Sequence, residues 1–174
     1  MSSVARAGTD DAGLGVGDRL PPLVLPRAAD GVSVAWRAPQ RGAPVVVFVS
    51  PAGAARDYVA GLAGAEPELR VWNGRLIAVL PVGADTAFLP AEAAAGVTVL
   101  SDPEGEAHRR CGVGEREAAL FIADRWGQIY LAERAPDESR LPGVDQIEEW
   151  LRYLATQCPE CGVPDEPGRG EWEG

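Results

Sequence analysis

Four side chains carry nearly all the thiol and metal chemistry open to this sequence: His108, Cys111, Cys158 and Cys161. The sharpest pattern among them is Cys158-Pro159-Glu160-Cys161. Two cysteines at this spacing can close a disulfide reversibly, which makes them the catalytic candidates for thiol-disulfide exchange. They can also supply half of a tetrahedral zinc shell, with His108 and Cys111 at H-x-x-C spacing as the other half. A plainer reading makes Cys158 a small hydrophobe that extends a helix stripe, which Pro159 then ends. The pair follows a helix, and a helix carboxyl end disfavours thiolate, as does Glu160 between the cysteines. A fast nucleophile is therefore not expected there. No lysine exists to form a Schiff base, because all 16 basic residues are arginine. Gly13, Gly15 and Gly17 lack a preceding strand and do not read as a dinucleotide loop.

The elements that must position these residues follow from hydrophobic patterning. Leu20 to Pro26 reads as an edge strand, and Val32 to Trp36 pairs back across a turn at Ala29-Asp30-Gly31. Pro44 to Val49 and Leu76 to Leu80 are continuous apolar runs, the pattern of strands buried on both faces. Val97 to Leu100 is a third such strand. Ser50-Pro51 suggests a helix start, with serine at the N-cap and a helix over Ala52 to Leu62. Further helices are expected over Thr86 to Ala95 and Glu104 to Arg110. A hairpin is expected from Ala118 to Leu131. The helix Val144 to Gln157 carries Ile147, Leu151 and Leu154 on one face. Strands alternating with helices predict an α/β sandwich with a mixed central sheet, an N-terminal β-hairpin and a C-terminal helix. The expected organisation is a flexible arm over 1–15, one domain over 16–157 and an acidic, Cys-containing tail over 158–174.

Several phrases in this order resemble the thioredoxin-fold redoxins, and most of all the alkyl hydroperoxide reductase/thiol-specific antioxidant (peroxiredoxin-like) family. They are Val16-Gly17-Asp18-Arg19-Leu20-Pro21, the VVVFVSP run ending at Pro51, Leu100 to Glu106 with Cys111-Gly112-Val113, and Phe121 to Ile129. The resemblance implies a thioredoxin-like sandwich whose chemistry sits where the first core strand turns into a helix. It also implies a nucleophilic cysteine there. In the C-x-x-C register the matching positions are Ala52 and Ala55. In the peroxiredoxin register P-x-x-x-T-x-x-C, counted from Pro51, the family threonine falls on Ala55 and the cysteine on Tyr58. No cysteine precedes Cys111 in either register. The family's cis-proline position is held by Ala118, and Arg116 lies two residues from the place of the family arginine. Pro51, Ala52, Ala55, Tyr58 and Ala118 therefore mark a vestigial redoxin site. Cys111 reads as a core residue and His108 as a surface residue of a short helix.

The chain has 174 residues, 46% of them apolar, enough for one well-filled domain. Its 26 acidic residues against 16 basic ones give a net charge of −10. That balance excludes nucleic acid and anionic membrane surfaces as expected partners. No apolar leader opens the sequence, so a cytoplasmic location is expected. The expectation is a redoxin-type fold used as a non-catalytic binding or assembly module, without cofactor, for a protein partner or a second copy. The alternatives are a redox switch at Cys158 and Cys161, or a zinc site at the same cysteines.

Overall fold

The computed structural model describes residues 13–36, 42–50, 55–81, 89 and 95–157. Strand β3 (Ala43–Phe48) lies at the centre, buried along its whole length. It pairs in parallel with β4 (Gly74–Pro81), which pairs in parallel with β5 (Thr98–Asp102). On its other side β3 pairs antiparallel with β6 (Ala118–Ala123), which turns back into β7 (Ile129–Ala135). The order is β5-β4-β3-β6-β7, a mixed sheet. A separate two-stranded sheet is formed by β1 (Val24–Pro26) and β2 (Ser33–Ala35). The expected α/β sandwich, with its N-terminal hairpin and C-terminal helix, is the architecture observed.

Alternation along β3 divides the core between the two faces of the sheet. Val45, Val47 and Val49 pack with helix α1 (Arg56–Gly64), helix α2 (Glu66–Val71) and Ile147 and Leu151 of the closing helix α4 (Val144–Thr156). Val46 and Phe48 pack with Ala107 and Cys111 of helix α3 (Glu106–Cys111), and with Leu20, Leu25 and Trp36. Both faces are covered, which is why the central strands read as unbroken apolar runs. The expected stripe of α4 holds: Ile147 and Leu151 are buried, and Leu154 packs against them.

The elements depart from the sequence reading in several places, among them the first strand, which begins at Val24 and not at Leu20. Helix α1 starts at Arg56 with Ala55 as its N-cap, so Ser50 does not cap it and Ala52 does not begin it. Helix α2 was not anticipated, although Pro67 in its first turn is a start signal. Residues 13–15, expected in the arm, are packed: the Leu14 N–H donates to the Cys111 carbonyl at 3.3 Å, and Arg134 Nη2 donates to the Leu14 carbonyl at 2.6 Å. Strand β7 runs four residues past Leu131 and leads into a short 3₁₀ turn, Glu138–Arg140. The helix expected over Thr86 to Ala95 lies almost wholly outside the described residues.

The start of β3 depends on one glycine. Gly42 has φ +96°, and a Cβ there would overlap the Asn73 carbonyl oxygen, which accepts from the Ala43 N–H at 2.9 Å. Gly31 also has positive φ, at +71°, but open space around it. Gly42→Ala is expected to destabilise the fold by about 2–5 kcal/mol, summing left-handed strain and overpacking. Gly31→Ala should cost only the strain, about 1–2 kcal/mol. Urea unfolding of the two variants checks the difference.

Candidate functional site

In α/β sheets, ligand and catalytic sites form at the carboxyl ends of the strands. Here that end brings together Val49, Ser50, Ala55, Asp102, Ala118 and His108. Phe48 of β3 pairs with Ala119, so Ala118 lies level with Val49. Ala118 and Ala55 are both fully buried in the core on the α1 side. Ala55 holds a left-handed backbone, φ 76°, as it turns into α1. Pro51 and Ala52 lie outside the described residues. Arg116 is exposed in the turn before β6.

Tyr58 sits in the first turn of α1, half-buried, and its hydroxyl donates to the Pro142 carbonyl at 2.6 Å. Burial raises its phenol pKa. The position that the peroxiredoxin register assigns to a thiol is thus a tether between α1 and the loop leading into α4.

A second group was misread from the sequence. His108 is only 8% exposed and is not a surface residue. Its Nδ1 lies 2.7 Å from Asp102 Oδ2, and its Nε2 lies 3.1 Å from the Val49 carbonyl oxygen. Helix α3 has no capping side chain at its own N-cap, Gly105. The Asp102 carboxylate, at the end of β5, does that work from outside the helix. It accepts the backbone N–H of His108 at 3.0 Å. Burial pushes the Asp102 carboxyl up. The hydrogen bonds and charge from His108, with the Ala107 N–H, outweigh burial and hold it below the ordinary value. The cue available in the sequence was an aspartate at a strand end, with Pro103 and Gly105 between it and a short helix.

Serine, histidine and aspartate converge here, but not as a nucleophilic triad. The ring nitrogen that would accept a hydroxyl proton is taken by the Val49 carbonyl. Cys111 is fully buried on the α3 side of the sheet, as expected of a core residue. Burial pushes its thiol up to about 12, against the pull of Arg134 and Arg110. It is therefore no thiolate at neutral pH. Cys158 and Cys161 lie outside the described residues. For the zinc alternative, both ring nitrogens of His108 are engaged, and α4, which leads to Cys158, packs on the opposite face from Cys111. Among the described residues no group of three or more His, Cys, Asp or Glu is placed to hold a metal.

Solved structures share the overall fold. A peroxiredoxin, Prx3 of Vibrio vulnificus in complex with hydrogen peroxide, superposes with a TM-score of 0.60 at 16% identity, over 79% of this chain and 99% of that one. A Chlorobium tepidum protein, described as a thiol:disulfide interchange protein DsbE, gives 0.58 at 22% identity, over 82% and 97%. Peroxiredoxin Q of Xanthomonas campestris gives 0.55 at 16% identity, over 76% and 92%. The chain has the thioredoxin fold. No family model matches the sequence, and no curated protein matches it. At these identities the likeness establishes the fold, while the thioredoxin-fold site must be read from this chain's own residues.

Two variants check the contacts of this thioredoxin-fold site. Tyr58→Phe leaves the buried Pro142 carbonyl without its donor and should cost about 1–3 kcal/mol in urea unfolding. Asp102→Asn should cost a similar amount, about 1–3 kcal/mol, at neutral pH. The folded carboxyl titrates below its unfolded value of about 3.9, so its stabilisation is fully present above that value. It disappears as pH falls through the lower folded value, so wild type and Asp102→Asn should converge in acid.

Proposed function

We propose that this thioredoxin-fold chain is a relative of the redoxins that has given up thiol catalysis at the usual position and serves as a non-catalytic binding or assembly module. One observation carries this reading. Where the redoxin registers call for a nucleophilic cysteine, the chain has Ala52, Ala55 and Tyr58, and the Tyr58 hydroxyl is committed to the Pro142 carbonyl. Cys111 cannot substitute, being buried with its thiol held protonated. A protein partner or a second copy fits the strongly acidic composition better than nucleic acid or an anionic membrane. No described helix is long and apolar enough to cross a membrane. The cytoplasm is the location this reading assigns.

The competing reading is thiol-disulfide exchange at Cys158 and Cys161, supported by their C-x-x-C spacing. Native intact mass, measured on anaerobic protein prepared without chelator and again after mild oxidation, separates the readings. The module reading expects one unchanged mass, and hydrogen peroxide consumption at the buffer rate. Loss of two hydrogens on oxidation, reversed by reduced thioredoxin and abolished by Cys158→Ser, would replace it with the redox switch. A mass heavier by one zinc ion, lost in acid, would make the tail a metal clasp.

A further inference from the structure

The Asp102–His108 pair has no part in the function proposed above, yet it is built into the carboxyl end of the central strand. The pair spans three elements. Asp102 ends β5, His108 lies in α3, and Val49 is the first residue past β3. The Val49 N–H is already engaged, donating to the Val79 carbonyl at 3.0 Å. Its carbonyl faces the imidazole. The peptide link of that carbonyl is to Ser50, and from there the chain runs through residues 51–54 to the left-handed turn at Ala55.

Both ring nitrogens face oxygen acceptors, a carboxylate on one side and an amide carbonyl on the other. Two donors satisfy both acceptors, and only the protonated ring has two. A neutral ring keeps one N–H, which goes to the carboxylate as the stronger acceptor. Its Nε2 lone pair would then point at the Val49 oxygen from 3.1 Å, and that contact must open.

The groups around the ring leave few other titrations to confuse with its own. Strand β3 presents only neutral groups, the Val49 carbonyl and the Phe48 ring, whose centroid is 5.0 Å from the imidazole. Strand β5 presents Asp102, which the pair itself holds ionised. On α3, Arg109 and Arg110 are exposed and directed elsewhere, to the Glu104 carbonyl and the Glu106 carboxylate. Cys111 stays a thiol. Residues 51–54, Pro-Ala-Gly-Ala, carry no ionisable side chain.

We propose that His108 is a protonation-dependent clamp on the exit of β3. The charged ring ties the Val49 carbonyl to Asp102 and α3, and loss of its proton releases that carbonyl and loosens the joint between β3, β5 and α3. The clamp makes the carboxyl end of the central strand sensitive to pH without any thiol taking part.

The chain contains a single histidine, so its ring nitrogens can be followed by NMR without assignment ambiguity. The full labelled chain is titrated from about pH 5 to pH 9, the range that brackets histidine ionisation. The ring ¹⁵N shifts, the Val49 carbonyl ¹³C and the Ser50 amide ¹⁵N are recorded together. The expected result is one midpoint common to all three, with both ring nitrogens protonated at the acid end. In His108→Asn the Val49 and Ser50 transitions disappear. In Asp102→Asn, which keeps the ring but removes its counter-charge, the shared midpoint moves to lower pH and stays shared. A ring that titrates while Val49 and Ser50 stay still overturns the clamp. So does a ring that keeps one charge state throughout, or a Ser50 transition that survives in His108→Asn.

Discussion

The fold depends on a strand with no exposed side. Strand β3 is buried along its length, so every polar group of its backbone must find a partner inside the protein. Along the ladder those partners are β4 and β6. Past Phe48 the antiparallel and parallel ladders both end, while the chain is still buried at Val49 and Ser50. The Val49 carbonyl lies beyond the ladder, and the His108 ring of α3 meets it. The local order at this end of the sheet is therefore set by polar satisfaction, where the rest of the core is set by packing.

The same constraint explains which parts of the structure were legible in the sequence. Runs such as Val45 to Val49 and Leu76 to Leu80 announce strands because burial on both faces leaves no polar position to confuse the pattern. The stripe of Ile147, Leu151 and Leu154 announces a helix lying on one face. The beginning of α1 was not legible. Its N-cap is an alanine at φ 76°, a conformation that no side-chain chemistry advertises, while Ser50-Pro51 imitates a cap. Helix α2 was masked by its brevity, six residues after a break at Ala65. His108 was misread because a histidine between an alanine and two arginines looks solvated. Its burial follows from Asp102 six residues earlier and Val49 fifty-nine residues earlier, a pairing that only the sheet order creates.

The carboxyl end of β3 is closed by packing on the α4 side and by polar contacts on the α3 side. A thiol nucleophile needs a side chain that is partly exposed and held as thiolate. At the carboxyl end of β3 the described positions are instead filled from inside. Ala55 and Ala118 are buried in the core, and the Tyr58 hydroxyl ties α1 to the loop before α4. These groups belong to the packing on the α4 side of the sheet. The buried polar contacts lie on the other side, where α3 meets β5. Relatives that share the thioredoxin fold constrain the shape of this end of the molecule and say little about what it now holds.

A buried ion pair is usually a poor source of stability, because desolvating two charges cancels their attraction, and apolar replacements often serve as well. Asp102 and His108 are not open to that exchange. The carboxylate takes the His108 N–H in the first turn of a six-residue helix with no capping side chain of its own. The imidazole takes the carbonyl with which the central strand leaves its ladder. Replacing both side chains with hydrocarbon would strand a backbone donor and an acceptor at a buried junction, each costing about 1–3 kcal/mol. The pair is held in place by the backbone it satisfies on either side. A titratable group thereby becomes a fixed part of the joint between β3, β5 and α3.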